Sequence, residues 1–566
     1  MNPSSAFARV FVDELVRCGV REVVLSPGSR SAPLALVLAV EPRIRLHVRH
    51  DERSAGFLAL GLAKVSERPV AVLCTSGTAV ASLHPAVLEA SHARVPLLAL
   101  TADRPPELLA TGANQTTDQV GIYGTATRWA YDVGVPEQRI GAVAYWRSVA
   151  ARACAVATAV GDAGPVHLNL PFREPLVPDG DHSATPGTPA GVESWPESLD
   201  GRPDGRPWLA VDQEPPAVTV LRDAPERGAV LVGEGCAERD AAARLAAALG
   251  WPLLSEPTGD ARTGDNAIGT FPLLLADPDF AAAHRPELVV TVGTPGLSRS
   301  VLGWLRTARE QYVVDPSPAF ADPTRTASRV LAAVPVAAKR RAATAWLRSW
   351  LTADAAAREA VDAVLDETEE LSEPTVAREV VAALPGDALL FVGSSRPVRD
   401  IEAYAVPRDG VHVLGNRGLA GIDGSASTAI GAALAHQRDG GGHAYALLGD
   451  LAALHDVNGF AVPAGDDRPD LTFVVVDNNG GGIFSLLEQD GEPGAERVFG
   501  TPHGLDLTRV LAAYGVPVAE VAKVSDLRAA LVPSAGLRAV LVRTDRAESA
   551  ALHRRLQDAV HRSLSR

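Results

Sequence analysis

Two short segments carry the residues best suited to chemistry. Gly449-Asp450-Leu451 follows the apolar run Tyr445-Ala446-Leu447-Leu448. Asp477-Asn478-Asn479-Gly480-Gly481-Gly482-Ile483-Phe484 follows a second apolar run over 471–476. Both runs have the length of buried strands, and the pattern between them predicts a helix from Leu451 to Val462. Two neighbouring parallel strands therefore end at one sheet edge, which is where open α/β sheets bind ligands. There Asp450 offers a carboxylate, Asn478 an amide oxygen and Gly480 a backbone carbonyl. Mg²⁺ takes about six such hard oxygen donors and is commonly shared between a protein and a phosphate group. Two ordinary βα turns can also carry Asp and Asn, so the rest of the chain has to decide.

A second candidate is Glu52 in His50-Asp51-Glu52-Arg53, just after the strand pattern Ile44-Arg45-Leu46-His47-Val48. A glutamate there commonly serves only the helix dipole. The helix it opens, Ser54-Ala55-Gly56-Phe57-Leu58-Ala59-Leu60-Gly61-Leu62-Ala63, is built of small and apolar residues that can pack closely against another surface. Arginines form the third group: Arg30 after Ser29, Arg104 in Asp103-Arg104-Pro105, Arg396 and Arg399 after Gly393-Ser394-Ser395, and Arg417 in Gly415-Asn416-Arg417-Gly418. All follow apolar strands. In an acidic protein, guanidinium forks gathered at ligand-binding edges imply a substrate with more than one carboxylate. Gly112-Ala113-Asn114-Gln115-Thr116 adds two loop amides after a strand.

These residues need parallel sheets to position them. Residues 1–178 alternate strand and helix patterns, and two further α/β stretches follow. The expected division is 1–178, a Pro/Gly/Asp/Ser-rich linker over 179–226, a central unit over 227–345, and a last unit over 346–566 led by a helical segment with Trp346 and Trp350 on one face. The fold class is α/β, with three doubly wound parallel-sheet domains. The chain of 566 residues is 46% hydrophobic and 21% charged, a globular composition. No apolar stretch reaches the roughly 18 residues that cross a bilayer. The first residues lack the basic and apolar parts of a signal peptide, and Cys18, Cys74, Cys154 and Cys236 form no metal-ligand or disulfide spacing. A cytoplasmic location is expected. A net charge of −15 argues against nucleic acid as a partner.

Gly449-Asp450 followed by Asn478-Asn479 resembles the thiamine-diphosphate signature, with Leu451 where a second glycine usually stands. Wider agreement narrows the resemblance. Ser26-Pro27-Gly28-Ser29-Arg30-Ser31, Asp51-Glu52-Arg53, Thr75-Ser76-Gly77-Thr78-Ala79, Thr101-Ala102-Asp103-Arg104-Pro105, Gly112-Ala113-Asn114-Gln115, Gly415-Asn416-Arg417-Gly418, Gly421-Ile422-Asp423-Gly424, His455-Asp456-Val457-Asn458-Gly459 and the Asn478–Phe484 run together resemble the 2-succinyl-5-enolpyruvyl-6-hydroxy-3-cyclohexene-1-carboxylate synthase family of menaquinone biosynthesis. Leu451 is itself typical of that family.

The resemblance implies decarboxylation of 2-oxoglutarate and conjugate addition of the succinyl carbanion equivalent to isochorismate. It implies thiamine diphosphate with Mg²⁺ or Mn²⁺, an aminopyrimidine-binding first domain and a diphosphate-binding last one. The assembly implied is a homodimer, or a dimer of dimers, with sites at the subunit interface. Glu52 would activate the cofactor, and Asp450, Asn478 and the Gly480 carbonyl would hold the metal. Gly449, Ile422, Ile483 and Phe484 would line the cofactor pocket. Arg399, Arg417 and Ser395 would serve the succinyl carboxylate. Ser29, Arg30, Arg104, Asn114 and Gln115 would serve isochorismate, Gln115 as a catalytic residue. Arg299 would reach it from the central unit, although its neighbour, basic in some relatives, is Ser298 here. Two alternatives share the motifs: another thiamine-diphosphate lyase of the acetolactate-synthase kind, which has less need of the arginines, and a catalytically silent relative acting as a binding protein.

Overall fold

The structure is a computed structural model that describes residues 1–179, 195–236, 238–317 and 319–565. Part of the expected linker, 180–194, lies outside the described residues. The chain forms two compact units. One comprises Met1–Glu214 with Ser427–Ala435 and Ala461–Arg468; the other comprises Pro215–Ala426, His436–Phe460 and Pro469–Arg566.

The first unit holds a six-stranded, all-parallel sheet. Its strands are β1 (Glu22–Leu25), β2 (Arg45–Val48), β3 (Val70–Cys74), β4 (Leu97–Asp103), β5 (Trp129–Asp132) and β6 (Val166–Pro171), in the order β2-β1-β3-β4-β6-β5. β1, β3, β4 and β6 are buried throughout, which is why they read as continuous apolar runs. The helices Pro3–Arg17 and Ala142–Ala157 cover one face, with Phe7, Phe11 and Trp146 in its core.

The helix Glu52–Ser66 confirms the reading of its small residues as a contact surface. A Cβ on Gly61 would lie 2.1 Å from the Thr428 carbonyl oxygen, and one on Gly431 would lie 2.2 Å from that of Leu58. The two backbones touch there, and Arg49 pairs with Asp466 beneath them at 2.5 Å. Gly61→Ala is expected to lower stability by about 1–3 kcal/mol through overpacking, although Ala is the better helix former. Denaturant unfolding checks this; a stabilised variant would contradict the close crossing.

Beyond the first sheet the chain is packed, not trailing. Trp195 packs against Trp146 with ring centres 5.9 Å apart, and Glu197 accepts hydrogen bonds from the backbone N–H groups of Gly141 and Val143, at 3.1 and 2.9 Å. Trp208 donates its backbone N–H to Glu14. Residues 195–208 are thus bound to the first unit, with Trp195 and Leu199 packed against its core.

The second unit contains the other two large sheets. A short parallel pair joins β7 (Val220–Leu221) to a later strand. The central sheet uses β8 (Gly228–Val232), β9 (Leu253–Ser255), β10 (Leu288–Val292), β11 (Glu310–Val314) and β12 (Arg329–Leu331), in the order β12-β11-β10-β8-β9. The partner of β7 is β13 (Val336–Ala337). The last sheet uses β14 (Leu389–Val392), β15 (His412–Leu414), β16 (Ala444–Gly449), β17 (Leu471–Asp477), β18 (Val518–Val521) and β19 (Leu537–Arg543). Its order, β15-β14-β16-β17-β19-β18, repeats that of the first sheet strand for strand. In both, the winding direction reverses between the first and third strands, which opens a crevice at their C-terminal ends. The helix Ala345–Leu365 packs Trp346, Trp350, Ala357 and Val361 into a core shared with Phe271, Trp304 and Tyr404.

Candidate active site

The crevice of the last sheet lies between the ends of β14 and β16, and Asp450 stands on it. Gly449 is the last residue of β16 and the N-cap of the helix Asp450–His455. This helix is shorter than the sequence pattern predicted, because Asp456 turns inward, wholly buried, and a 3₁₀ turn follows over Val457–Phe460. Asp450 is itself 2% exposed. Its Oδ1 accepts from the Leu451 N–H at 2.6 Å and its Oδ2 from the Gly480 N–H at 2.8 Å. Burial raises its pKa against those two hydrogen bonds. A cation at this carboxylate would favour its ionised form and oppose that shift.

Asn478 follows β17, hydrogen-bonded to β16 in register (Gly449 opposite Val476). Its amide nitrogen donates to Glu373 Oε1 at 2.7 Å, which fixes the side chain and turns the amide oxygen away. That Oδ1 is buried and has no hydrogen-bond partner among the described residues. A buried orphan acceptor costs about 1–3 kcal/mol, and a hard cation is a partner that relieves it. Gly480 has φ +139°, and a Cβ there would meet the Gly500 carbonyl oxygen at 2.0 Å, so no other residue fits. Its carbonyl accepts from the Gly482 N–H at 3.0 Å and keeps a second lone pair.

Two residues here carried no sequence signal. His503 Nε2 lies 3.3 Å from Asp450 Oδ2 and 3.5 Å from Asp477 Oδ1. One ligand atom from each of the three falls within 4.8 Å of the others. His503 sits in an irregular stretch far from both motif segments. Glu373 opens the helix Glu373–Ala383, but Ser372 does the capping, and Glu373 accepts from Asn478 instead.

The arginines of this unit separate into two kinds. Arg396 is buried, with its Nε on Glu373 at 3.3 Å and its Nη2 on Asp400 at 2.7 Å. Its reading as a substrate group is corrected: two carboxylates already hold it, so its role is structural. Arg399 and Arg417 are half-buried and face each other electrostatically. Arg399 donates to the Ser395 carbonyl at 2.8 Å, and Arg417 donates to Ser394 Oγ at 3.2 Å. Burial, then Arg417, pulls the Arg399 pKa down. Ser395 itself has a positive φ, +75°. Two like charges held close are costly unless an anion comes between them. Arg299 opens the helix Arg299–Leu305, 87% exposed, with Glu488 at 3.9 Å. Ile422, Ile483 and Phe484 are half-buried, and Phe484 packs on Phe499 with ring centres 5.4 Å apart.

The first unit assembles its own group at the corresponding strand ends. Asp51 caps the helix Glu52–Ser66 by accepting from the Arg53 and Ser54 N–H groups at 2.9 and 3.4 Å. Glu52 is therefore not spent on capping, and its carboxylate lies near the buried Cys74 thiol, whose pKa rises through burial first and Glu52 second. Arg104 donates to the Gln115 carbonyl at 2.8 Å and to Ser76 Oγ. The Gln115 side chain returns a hydrogen bond to the Ser76 carbonyl at 2.9 Å. Arg30 donates to the Phe172 carbonyl at 3.0 Å, keeps a buried Nε without a hydrogen-bond partner among the described residues, and lowers the Arg104 pKa, after burial. Ser29 and Asn114 are exposed at its rim. Gln119, absent from the sequence reading, ties this loop down through Gly77 N at 2.9 Å and Asn169 Oδ1 at 2.9 Å.

Two parallel sheets of one strand order, with a carboxylate-amide-glycine set at the switch point of the last, are features of the thiamine-diphosphate enzyme class. Comparison with known families agrees. "Thiamine pyrophosphate enzyme, N-terminal TPP binding domain" matches residues 6–122, "Middle domain of thiamine pyrophosphate" matches 202–392, and "Thiamine pyrophosphate enzyme, C-terminal TPP binding domain" matches 400–541. The chain is 56% identical to the 2-succinyl-5-enolpyruvyl-6-hydroxy-3-cyclohexene-1-carboxylate synthase of Thermobifida fusca over 99% of each chain. It is 49% identical to that of Saccharopolyspora erythraea over 100% of each, and 42% identical to that of Rhodococcus erythropolis over 98% of this chain and 99% of the other. The chain belongs to this synthase family.

Proposed function

We propose that the chain decarboxylates 2-oxoglutarate and joins the succinyl unit to isochorismate, releasing 2-succinyl-5-enolpyruvyl-6-hydroxy-3-cyclohexene-1-carboxylate and CO₂. It is a transferase of menaquinone biosynthesis. The observation that carries the reading is the unpartnered Asn478 Oδ1 beside buried Asp450, with the like-charged pair Arg399 and Arg417 on the neighbouring strand ends. The donor set fits a divalent metal on a diphosphate: Asp450, Asn478 and the Gly480 carbonyl would hold Mg²⁺ or Mn²⁺. Bound there, thiamine diphosphate supplies an electron sink for the charge left when CO₂ departs.

The chain's own residues do the rest. Glu52 shares a proton with the aminopyrimidine ring. Gly449, Ile422, Ile483 and Phe484 form the pocket wall and keep water out. Arg399, Arg417 and Ser395 hold the succinyl carboxylate, and Ser29, Arg30, Arg104, Asn114 and Gln115 hold isochorismate, with Arg299 at its edge. Guanidinium pairs grip carboxylates bidentately and orient them. Orientation of this kind contributes about 7–11 kcal/mol in favourable cases. Glu52 and the metal residues belong to different units, and the assembly proposed is a homodimer, or a dimer of dimers, whose sites lie at the subunit interface. No helix among the described residues is long and apolar enough to cross a membrane, and the reading places the enzyme in the cytoplasm.

Arg399→Ala and Arg417→Ala are expected to raise KM for 2-oxoglutarate about 10- to 100-fold, as loss of a hydrogen bond to a charged group worth about 1.5–3 kcal/mol requires. KM for isochorismate should stay near its original value. The reverse pattern would place these arginines on the other substrate.

A further inference from the structure

Behind Arg399 and Arg417 lie two buried carboxyl groups that the proposed mechanism does not use. Glu256 is 5% exposed and Glu402 is 1% exposed. One loop holds both. The Gly296 and Leu297 N–H groups donate to Glu256 Oε1, each at 2.7 Å, and Ser298 Oγ donates to Glu402 Oε2 at 2.6 Å. Ser298 is the N-cap residue of the helix Arg299–Leu305, yet its side chain makes no capping hydrogen bond. It is turned to Glu402 instead. The other oxygen of Glu402, Oε1, is buried without a hydrogen-bond partner among the described residues, so a single hydroxyl is the one hydrogen-bond donor there to offset the cost of ionising this carboxyl.

Glu402 lies three residues after Arg399 on the helix Arg396–Tyr404, on the same face. The charged groups around it are Glu256, Arg262 and Arg399, and those around Glu256 include Arg417 and Glu234. Arg262 is taken up by the carbonyls of Glu402, Gly269 and Ala405 and faces Arg358 and Asp354, while Arg399 also feels Arg396 and Asp400. Both carboxyls have raised pKa values: burial is the main cause for each, and Glu256 is the next for Glu402. Leu297 and Ser298 are adjacent, so the two carboxyls they hold are neighbours, and ionising one disfavours ionising the other.

We propose that Glu402, held to Glu256 by the Gly296–Ser298 loop, is a positioning residue that competes with the 2-oxo acid for Arg399. Protonated, it leaves the Arg399–Arg417 pair unmatched and ready for the substrate carboxylate. Ionised, it draws Arg399 back toward itself and weakens that grip. Proton and substrate therefore favour each other, and by linkage the coupling runs both ways. This rests on the assignment of Arg399 and Arg417 to the 2-oxo acid.

The test is KM for 2-oxoglutarate from pH 6 to 9, on enzyme saturated with thiamine diphosphate, Mg²⁺ and isochorismate. The wild-type KM is expected to rise about 5-fold or more with pH, within the usual range of such couplings. Glu402→Gln fixes the neutral form, so its KM should stay flat at the low-pH value. Ser298→Ala removes a hydrogen bond that favours the ionised form, so the rise should move to higher pH. A flat wild-type profile, or an unaltered rise in Glu402→Gln, overturns the proposal. The underlying assignment is tested separately: Arg399→Ala with an unchanged KM for 2-oxoglutarate would remove it, whereas a raised KM beside a flat wild-type profile would remove only the role of Glu402.

Discussion

Glu52→Gln is expected to lower kcat by about 10²–10⁴-fold, the usual contribution of a positioned acid–base group, while the protein unfolds almost as before. The structure separates the two roles a glutamate has at a helix start. Asp51 caps the helix by accepting from Arg53 and Ser54, and Glu52 makes no hydrogen bond that the cap requires. Glutamine keeps the shape and loses the titratable proton. The fold loses at most the helix–dipole term, about 1 kcal/mol or less. Kinetics beside a thermal melt give both numbers. Wild-type turnover in the variant would take Glu52 out of the mechanism, and a collapsed melt would make it a structural residue.

Asp450→Ala is expected to weaken metal-dependent binding of thiamine diphosphate by about 10²-fold or more, since even partners that only orient a metal ligand cost about 10- to 100-fold when removed. The apo protein should remain folded, because a buried carboxylate with a raised pKa is a liability to the empty site. The Gly480 N–H would lose its acceptor, which loosens the loop that presents Asn478 Oδ1. Titration calorimetry with and without Mg²⁺ reads the affinity. Unchanged binding would move the metal elsewhere, and the cluster of Asp450, Asp477 and His503 names the next residues to change.

The sheets were legible because their strands are buried on both faces. β3, β4, β16 and β17 are continuous apolar runs that end in polar residues. Asp450 and Asn478 stood out because each follows such a run directly, whereas Glu52 follows the mixed strand β2 after three intervening residues and stood out by opening a helix of small residues. The edge strands β5 and β18 did not, since their exposed positions break the apolar pattern. His503, Glu373, Glu256 and Glu402 were invisible for another reason: each reaches its partner across a long loop or from a different sheet, and no local spacing encodes that contact. Arg396 shows the converse error. It follows a strand like its neighbours, but only the packing shows Glu373 and Asp400 already around it.

The central claim is tested most directly by mixing the purified protein with thiamine diphosphate, Mg²⁺, 2-oxoglutarate and isochorismate. The account predicts that isochorismate disappears as CO₂ is released, one for one, and that neither changes when 2-oxoglutarate is omitted. CO₂ release from 2-oxoglutarate with isochorismate left intact, or faster consumption of pyruvate, would contradict it.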